Sequence, residues 1–425
     1  MKTKKKGTLV AILMSVLLCL SLMPMTAFAA PGDVAIDEAN FPDANFRGCV
    51  KAYDTNNDGI LSQSELDEVL IIDVDNKNIT TLKGIEHFTK LETLYCSVNQ
   101  LTALDLTKNP ALDEMACNNN QLTALDVTKN PELKNLYCAN NQLTTLDVTK
   151  NPKLNDLYCI GNKLTALDVT KNTELKELDC AHNQLTALDV TKNTELERLH
   201  CYNNQLTSLD LNANTNITNF AGHIQKYDIA VGKNMMTFDL KSLPGKFNPS
   251  KASGWAGASV SGNTLKLDST KPSTVTYTYE ARSGNNLSVT LNVSYKEEVK
   301  ISFDKNGGSG TMVDAIALKD VPYKLPACGF TAPSGKEFKA WSINGTEKAV
   351  GDSITVNKDT TVKAIWQVKT ESNTGNRTGK RKNPKTGVGT NTPINGIIAF
   401  FVTFVSASTF GFICLNDNKR KNVNN

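Results

Sequence analysis

Between residues 91 and 216 the apolar positions recur on a 21-residue period. In the first copy Leu91, Leu94, Cys96, Leu101, Leu104 and Leu106 carry the apolar set. Asn99, Thr102, Asp105, Thr107, Lys108 and Asn109 carry the polar set. Six complete copies place cysteines at 96, 117, 138, 159, 180 and 201 and a first asparagine at 99, 120, 141, 162, 183 and 204. The second leucine position departs only at Met115. One such unit cannot bury its own apolar face, so the units are expected to stack as coils around a shared core. Alternation over residues 93–97 predicts a short strand, with Leu94 and Cys96 inward and Thr93, Tyr95 and Ser97 outward. Asn99 falls where the chain leaves the strand. A buried amide there is expected to bond backbone groups of the next coil that would otherwise be unmatched. Ile72, Val74, Ile79, Leu82, Ile85 and Phe88 keep the spacing loosely and form an irregular first coil, and Ile217 and Phe220 begin a degenerate last one.

Beyond residue 224 the pattern changes to period two. Val275-Thr276-Tyr277-Thr278-Tyr279 and Leu287 to Val293 read as strands, with turns at Gly262-Asn263 and Gly284-Asn285. A small β-sandwich-like domain is expected over 224–298. Two further apolar runs flank the chain's polar bulk. Residues 1–29 read as a secretory signal: Lys2, Lys4, Lys5 and Lys6 precede an apolar run, and Ala27-Phe28-Ala29 supplies the cleavage site. Residues 394–415 are uncharged and long enough, at about 1.5 Å per helical residue, to span a bilayer core, and Lys419-Arg420-Lys421 follows them.

The order Leu91-x-x-Leu94-x-Cys96-x-x-Asn99-x-Leu101 resembles the leucine-rich-repeat template, with Cys in one Leu place. Ahead of it, Asp54-Thr55-Asn56-Asn57-Asp58-Gly59-Ile60-Leu61-Ser62-Gln63-Ser64-Glu65 matches the EF-hand calcium loop at every required position. Asp54, Asn56, Asp58, Ser62 and Glu65 would offer side-chain oxygens and Ile60 its carbonyl, between helices expected at 43–53 and 62–70. The expected cofactor is one structural calcium ion. The segment sits where internalin-like leucine-rich-repeat proteins carry an EF-hand-resembling helical cap. Phe303 to Gly310, Tyr323 to Pro326, Phe338 to Trp341 and Ala364 to Trp366 resemble the Listeria–Bacteroides B-repeat, which implies a β-grasp-like domain over 299–367 with Trp341 and Trp366 in its core. Its glycine-rich stretch lacks the Gly-Lys-Ser/Thr of a phosphate loop and reads as a hairpin turn. Asn383-Pro384-Lys385-Thr386-Gly387, the apolar span and the basic tail together resemble the cell-wall sorting signal of Gram-positive surface proteins, with Asn383 where Leu is usual. The resemblance implies that a sortase cleaves between Thr386 and Gly387 and links Thr386 to peptidoglycan.

The fold class is thus a mainly β repeat protein. The expected order is signal 1–29, cap 30–71, solenoid 72–223, small β-domain 224–298, β-grasp-like domain 299–367, linker 368–382 and sorting signal 383–425. The 425 residues hold 46 Lys+Arg and 43 Asp+Glu, a balance that gives no reason to expect nucleic-acid binding. Within 91–216, 10 basic face 16 acidic residues, so the solenoid is acidic. Stacked strands would set the six repeat cysteines about 5 Å apart, a distance that does not exclude a disulfide, but the line suits a buried ladder better than a disulfide or metal site, and no C-x-x-C occurs. No hydrolase motif appears, and an enzyme is not expected. The natural binding surface is the concave side of the stacked strands. There Tyr95, Tyr137, Tyr158 and His200 form one outward column, Glu114, Asp156, Glu177 and Arg198 a second, and Tyr202 stands beside them. The expected protein is secreted, wall-anchored and internalin-like, binding a macromolecular ligand, expected to be a protein, through this face as an adhesin. A surface glycan ligand, or a structural role with no specific ligand, are the alternatives.

Overall fold

A computed structural model describes residues 32–369. The expected signal 1–29, most of the linker, and the sorting signal with Thr386, Gly387 and the 394–415 span lie outside the described residues. Among the described residues no helix is long and apolar enough to cross a membrane.

The chain is mainly β and opens with a compact helical segment. Strand β1 (Val34–Ala35) pairs antiparallel with β2 (Ile60–Leu61). Helix α1 (Ala44–Val50) is capped by Asp43, whose carboxylate accepts from the amides of Asn45 and Phe46, and a 3-10 turn, Lys51–Tyr53, extends it. Helix α2 (Gln63–Glu68) starts at Ser62 with a reciprocal capping box to Glu65. Both helices are shorter than the 43–53 and 62–70 of the sequence reading, because caps and a 3-10 turn take the ends. Phe41, Phe46, Val50, Leu61 and Leu66 bury themselves against Ile85 and Phe88 of the first coil.

Eight three-residue strands then form one parallel sheet: β3 (Ile71–Asp73), β4 (Thr93–Tyr95), β5 (Glu114–Ala116), β6 (Asn135–Tyr137), β7 (Asp156–Tyr158), β8 (Glu177–Asp179), β9 (Arg198–His200) and β10 (Asn219–Ala221). From β4 to β10 each residue faces its equivalent one repeat on, as Thr93 faces Glu114 and Leu94 faces Met115. The central residue of β4 to β9 is fully buried, and Cys96, Cys117, Cys138, Cys159, Cys180 and Cys201 line the core as free thiols. The strands end two residues earlier than the expected 93–97. Ser97 is buried, not outward, because the chain has begun to turn and its amide donates to Asp75.

Two asparagine columns hold the coils together. Asn141 Oδ1 accepts from the Leu122 amide at 3.0 Å, and its Nδ2 donates to Cys117 O at 3.0 Å and Cys138 O at 3.2 Å. The same set recurs at Asn120, Asn162, Asn183 and Asn204. These amides reach back to the preceding coil, whereas the sequence reading pointed them to the next. The second column, Asn109, Asn130, Asn151, Asn172, Asn193 and Asn214, had no assigned role. Each Nδ2 donates to two carbonyls of the coil before, such as Val127 O (2.9 Å) and Asn130 O (2.8 Å) for Asn151. Those acceptors fix the orientation of the amide and leave its buried Oδ1 without a donor.

The last coil hands over directly. Gln225 stands at the next asparagine position, accepting from the Leu206 amide at 3.0 Å and donating to Cys201 O at 2.8 Å. It also starts strand Gln225–Gly232, which opens a four-stranded sheet with Asn285–Lys296, Thr274–Arg282 and Ala252–Ala256, accompanied by a three-stranded sheet. Tyr277 donates to Thr207 O at 2.8 Å and Arg282 to Ile217 O at 3.2 Å. The apolar core therefore runs unbroken from Val34 to Leu291. A second core, around Val299, Ile301, Trp341 and Val362, fills a five-stranded sheet between residues 298 and 368. Trp341 is fully buried, whereas Trp366 is half-buried and donates to Lys305 O and Asn306 O in the glycine-rich turn.

Asn141→Leu is the test of the first column. It adds apolar volume but leaves buried backbone groups unmatched at about 1–3 kcal/mol each. Urea and thermal unfolding are expected to show a loss of about 2 kcal/mol or more, and a neutral result would remove the column's structural role.

Candidate functional site

Along β4 to β9 the second residue of each strand is buried and the first faces solvent; the third also faces solvent except at Ala116 and Asp179, which are buried. Because register is one repeat per strand, residues 19 apart on neighbouring coils touch diagonally. Tyr95 donates its hydroxyl to Glu114 Oε1 at 2.9 Å, and Tyr158 makes the same bond to Glu177. Arg198, on the next coil, lies with its guanidinium carbon 5.5 Å from the Tyr158 ring centroid. It donates to Tyr158 Oη at 3.1 Å and pairs with Glu177 at 3.4 Å. The rings of Tyr137 and Tyr158 lie 5.3 Å apart. His200 Nδ1 is 3.4 Å from Asp179 and 3.4 Å from Arg198 Nη2, while Nε2 is 3.1 Å from Asn219 Oδ1. With Nε2–H turned to Asn219, neutral His200 accepts from Arg198; protonated, it faces Asp179.

The electrostatics follow from this crowding. Burial pushes the Tyr137 phenol up to about 12, with Asp156, Glu114 and Glu177 adding to the shift. Burial likewise raises Tyr158, reinforced by its bond to Glu177, and raises Asp156, reinforced by Glu177. The six buried thiols are pushed up by desolvation, so thiolate chemistry is not available to them. A face of phenols, carboxylates and one guanidinium offers hydrogen bonding and charge, and is suited to recognition.

Tyr137, Asp156, Tyr158, Glu177, Arg198 and His200 thus form one contiguous patch. Tyr95 and Glu114 form a second pair nearer the N-terminus, within electrostatic reach of Tyr137, with Ala116 and Asn135 interrupting the columns between them. Tyr202 belongs elsewhere. It stacks on His223 (4.9 Å, 4°), meets His182 edge-on at 5.1 Å and lies 6.2 Å from His200. Three of the chain's 4 histidines therefore gather around one tyrosine. His182 and His223 were missed as site residues, although the 21-residue register places His223 one coil beyond Tyr202. Asp179 was missed as the partner of His200 because its burial is invisible in sequence.

At the calcium-like loop, Asp54 accepts from the amides of Asp58 (3.2 Å) and Gly59 (2.9 Å), and Asn56 Oδ1 and Asp58 Oδ1 accept from Asp58 N and Ile60 N. These bonds make the turn. Glu65 does not point into it. Its Oε1 accepts from Thr55 N and Oγ1 (both 2.7 Å), and Oε2 from Ser62 N and Oγ (both 2.9 Å). The residues match a calcium cage in kind and order, but with Glu65 committed to four donors and Asn56 Nδ2 donating to Asp58 (3.1 Å) they do not fit one as arranged. No group of three or more His, Cys, Asp or Glu among the described residues is placed to hold a metal.

No family model matches the chain. A stretch of 70 residues is 40% identical to internalin J of Listeria monocytogenes serotype 4b (strain F2365); it spans 16% of this chain and 8% of that curated relative. Among solved structures, internalin C2 of L. monocytogenes is 22% identical, with a TM-score of 0.41 over 47% of this chain and 90% of that one. The functional domain of InlJ from L. monocytogenes, described as including a cysteine ladder, is 22% identical, with a TM-score of 0.27 over 62% of this chain and 99% of that one. A leucine-rich-repeat protein of Leptospira interrogans is 24% identical, with a TM-score of 0.35 over 39% and 47%. The coil geometry and the 70-residue match support an internalin-like leucine-rich-repeat fold.

The Glu65 bonds carry a prediction. Led by the Thr55 hydroxyl bond, they hold its carboxyl down to about 2. Since this lies below the ordinary value of about 4.3, the stabilisation is complete above that pH and is lost as pH falls toward 2. At pH 7, Tm is expected to be equal with excess calcium and with chelator. In acid the parent should lose more Tm than Glu65→Gln. A calcium-dependent rise that disappears in Glu65→Gln would show Glu65 turned onto a metal.

Proposed function

We propose that this is a cell-surface protein that binds a protein ligand through the solvent-facing side of its leucine-rich-repeat sheet, as an adhesin held in a Gram-positive wall. One observation carries the reading. The coils repeat their core and turn residues with little change, while the two outward strand columns vary and concentrate tyrosine, carboxylate, Arg198 and His200 on one face. Tyrosine and arginine are the residues that dominate protein interfaces, and a parallel repeat sheet presents them as one extended surface.

The motif order supports anchoring: Asn383 to Gly387, the apolar 394–415 run and the basic tail stand in the sequence of a sortase signal. The EF-hand-like segment would cap the open end of the solenoid core, and a B-repeat-like β-grasp domain over 299–367 would stand between the binding region and the wall.

The ligand test is binding of cells displaying the intact chain to arrayed host and bacterial proteins and glycans. Tyr137→Ala/Tyr158→Ala is expected to reduce protein binding by more than about tenfold. Glu114→Lys, Asp156→Lys and Glu177→Lys should weaken it in a salt-dependent way. A glycan ligand would instead depend on the rings and tolerate salt, and absence of any ligand would leave a structural role. For anchoring, Thr386→Ala is expected to move the protein from the peptidoglycan fraction to the membrane fraction. Unchanged attachment to purified wall would overturn the sortase reading.

A further inference from the structure

We propose that Tyr95 and Glu114 form a seat for the guanidinium group of an arginine side chain presented by a partner protein. The proposal rests on the sheet face being the binding face and names the chemistry of what it binds.

The repeat supplies its own comparison. Tyr158 and Glu177 stand 19 residues apart on neighbouring coils and share a hydroxyl–carboxylate bond. The next coil places Arg198 over them, with its guanidinium above the Tyr158 ring, one nitrogen on the phenol oxygen and the same nitrogen paired with Glu177. Tyr95 and Glu114 are the same two positions three coils earlier, with the same separation and the same bond. The position equivalent to Arg198 is there Asn135, which is short and neutral.

The surroundings also favour an external cation. Asp73 lies directly beside Tyr95 in register, and Asp75 is close enough that both carboxylates raise the Tyr95 phenol behind the larger effects of Glu114 and burial. No ion pair within 4.0 Å reaches Glu114, Asp73 or Asp75 among the described residues. On the other side Tyr95 faces Ala116, too small to cover the ring. A planar guanidinium can lie on the ring while one of its nitrogens reaches the phenol oxygen and carboxylate together, as Arg198 does. An ammonium, as a compact, strongly hydrated charge, lacks the planar face that lies on the ring and is held less well.

The experiment uses the intact chain with selectively labelled tyrosine rings, titrated by NMR with Gly-Arg-Gly-amide and its lysine and citrulline counterparts. The arginine peptide is expected to shift Tyr95 at least about fivefold more strongly than either counterpart. Asn135→Arg should abolish the response by filling the seat from within, at unchanged or higher Tm. Glu114→Gln should also abolish it. Arg198→Ala should add a second response at Tyr158, showing that the two sites are equivalent. An equal lysine response would reduce the site to a general cation patch. An equal citrulline response, or an undiminished shift in Asn135→Arg, would overturn the seat. Either failure leaves the ligand screen on displayed cells as an independent judge of the binding face.

Discussion

Every coil of this solenoid ends its strand with buried backbone groups that its own asparagine matches only in part. The asparagine one repeat later completes the set. Asn141 takes the amide of Leu122 and the carbonyls of Cys117 and Cys138, and an unmatched buried group would cost about 1–3 kcal/mol. The bonds run backward along the chain, so each coil is completed only when its successor is in place. The solenoid therefore needs a successor at its last coil. Gln225 provides it, one methylene longer than asparagine, as the first residue of the following sheet. With Tyr277 and Arg282, it ties the last coil to the 224–298 region, whose apolar residues continue the core.

The same constraint shapes the surface. Interior leucines and cysteines and the two asparagine columns are committed to stacking, which leaves the first and third strand positions and the turn just beyond the strand free to vary. The 21-residue register then decides which of these meet. It brings Tyr158, Glu177 and Arg198 from three different coils onto one spot, and it gathers Tyr202, His182 and His223 at the other end. Positions that leave the strand carry their own cost. Beyond each strand from β4 to β10 one residue adopts a left-handed conformation, filled by Asn119, Asn140, Gly161, His182 and Asn203, and by the β-branched Val98 and Ile224 at the two ends of that column.

At the N-terminal end a calcium-loop sequence is closed by Glu65 through four hydrogen bonds. Thr55 at the loop's second position supplies two of these donors and Ser62 the other two. The loop shape is thus maintained by the chain's own groups, and the helices it joins bury Phe46 and Leu66 beneath the first coil.

Most of the architecture was legible in sequence because stacking demands periodicity: the number of regular coils, the inward Leu94 and Cys96, and the outward Tyr and acidic columns all follow from the 21-residue spacing. The strand alternation and Gly-Asn turns likewise announced the later β regions. Spacing does not specify direction or partnership. The backward reach of the asparagines, the second column at Asn109 to Asn214, the burial of Ser97 and Asp179, and the turn of Glu65 away from its loop depend on atoms distant in sequence. So does the difference between two identical Tyr–Glu pairs, one covered by Arg198 and one facing Asn135. Sequence alone determined which residues must be inside, because burial is periodic. The tertiary structure decided which polar groups answer one another, because hydrogen bonds and charges are settled by distance in space.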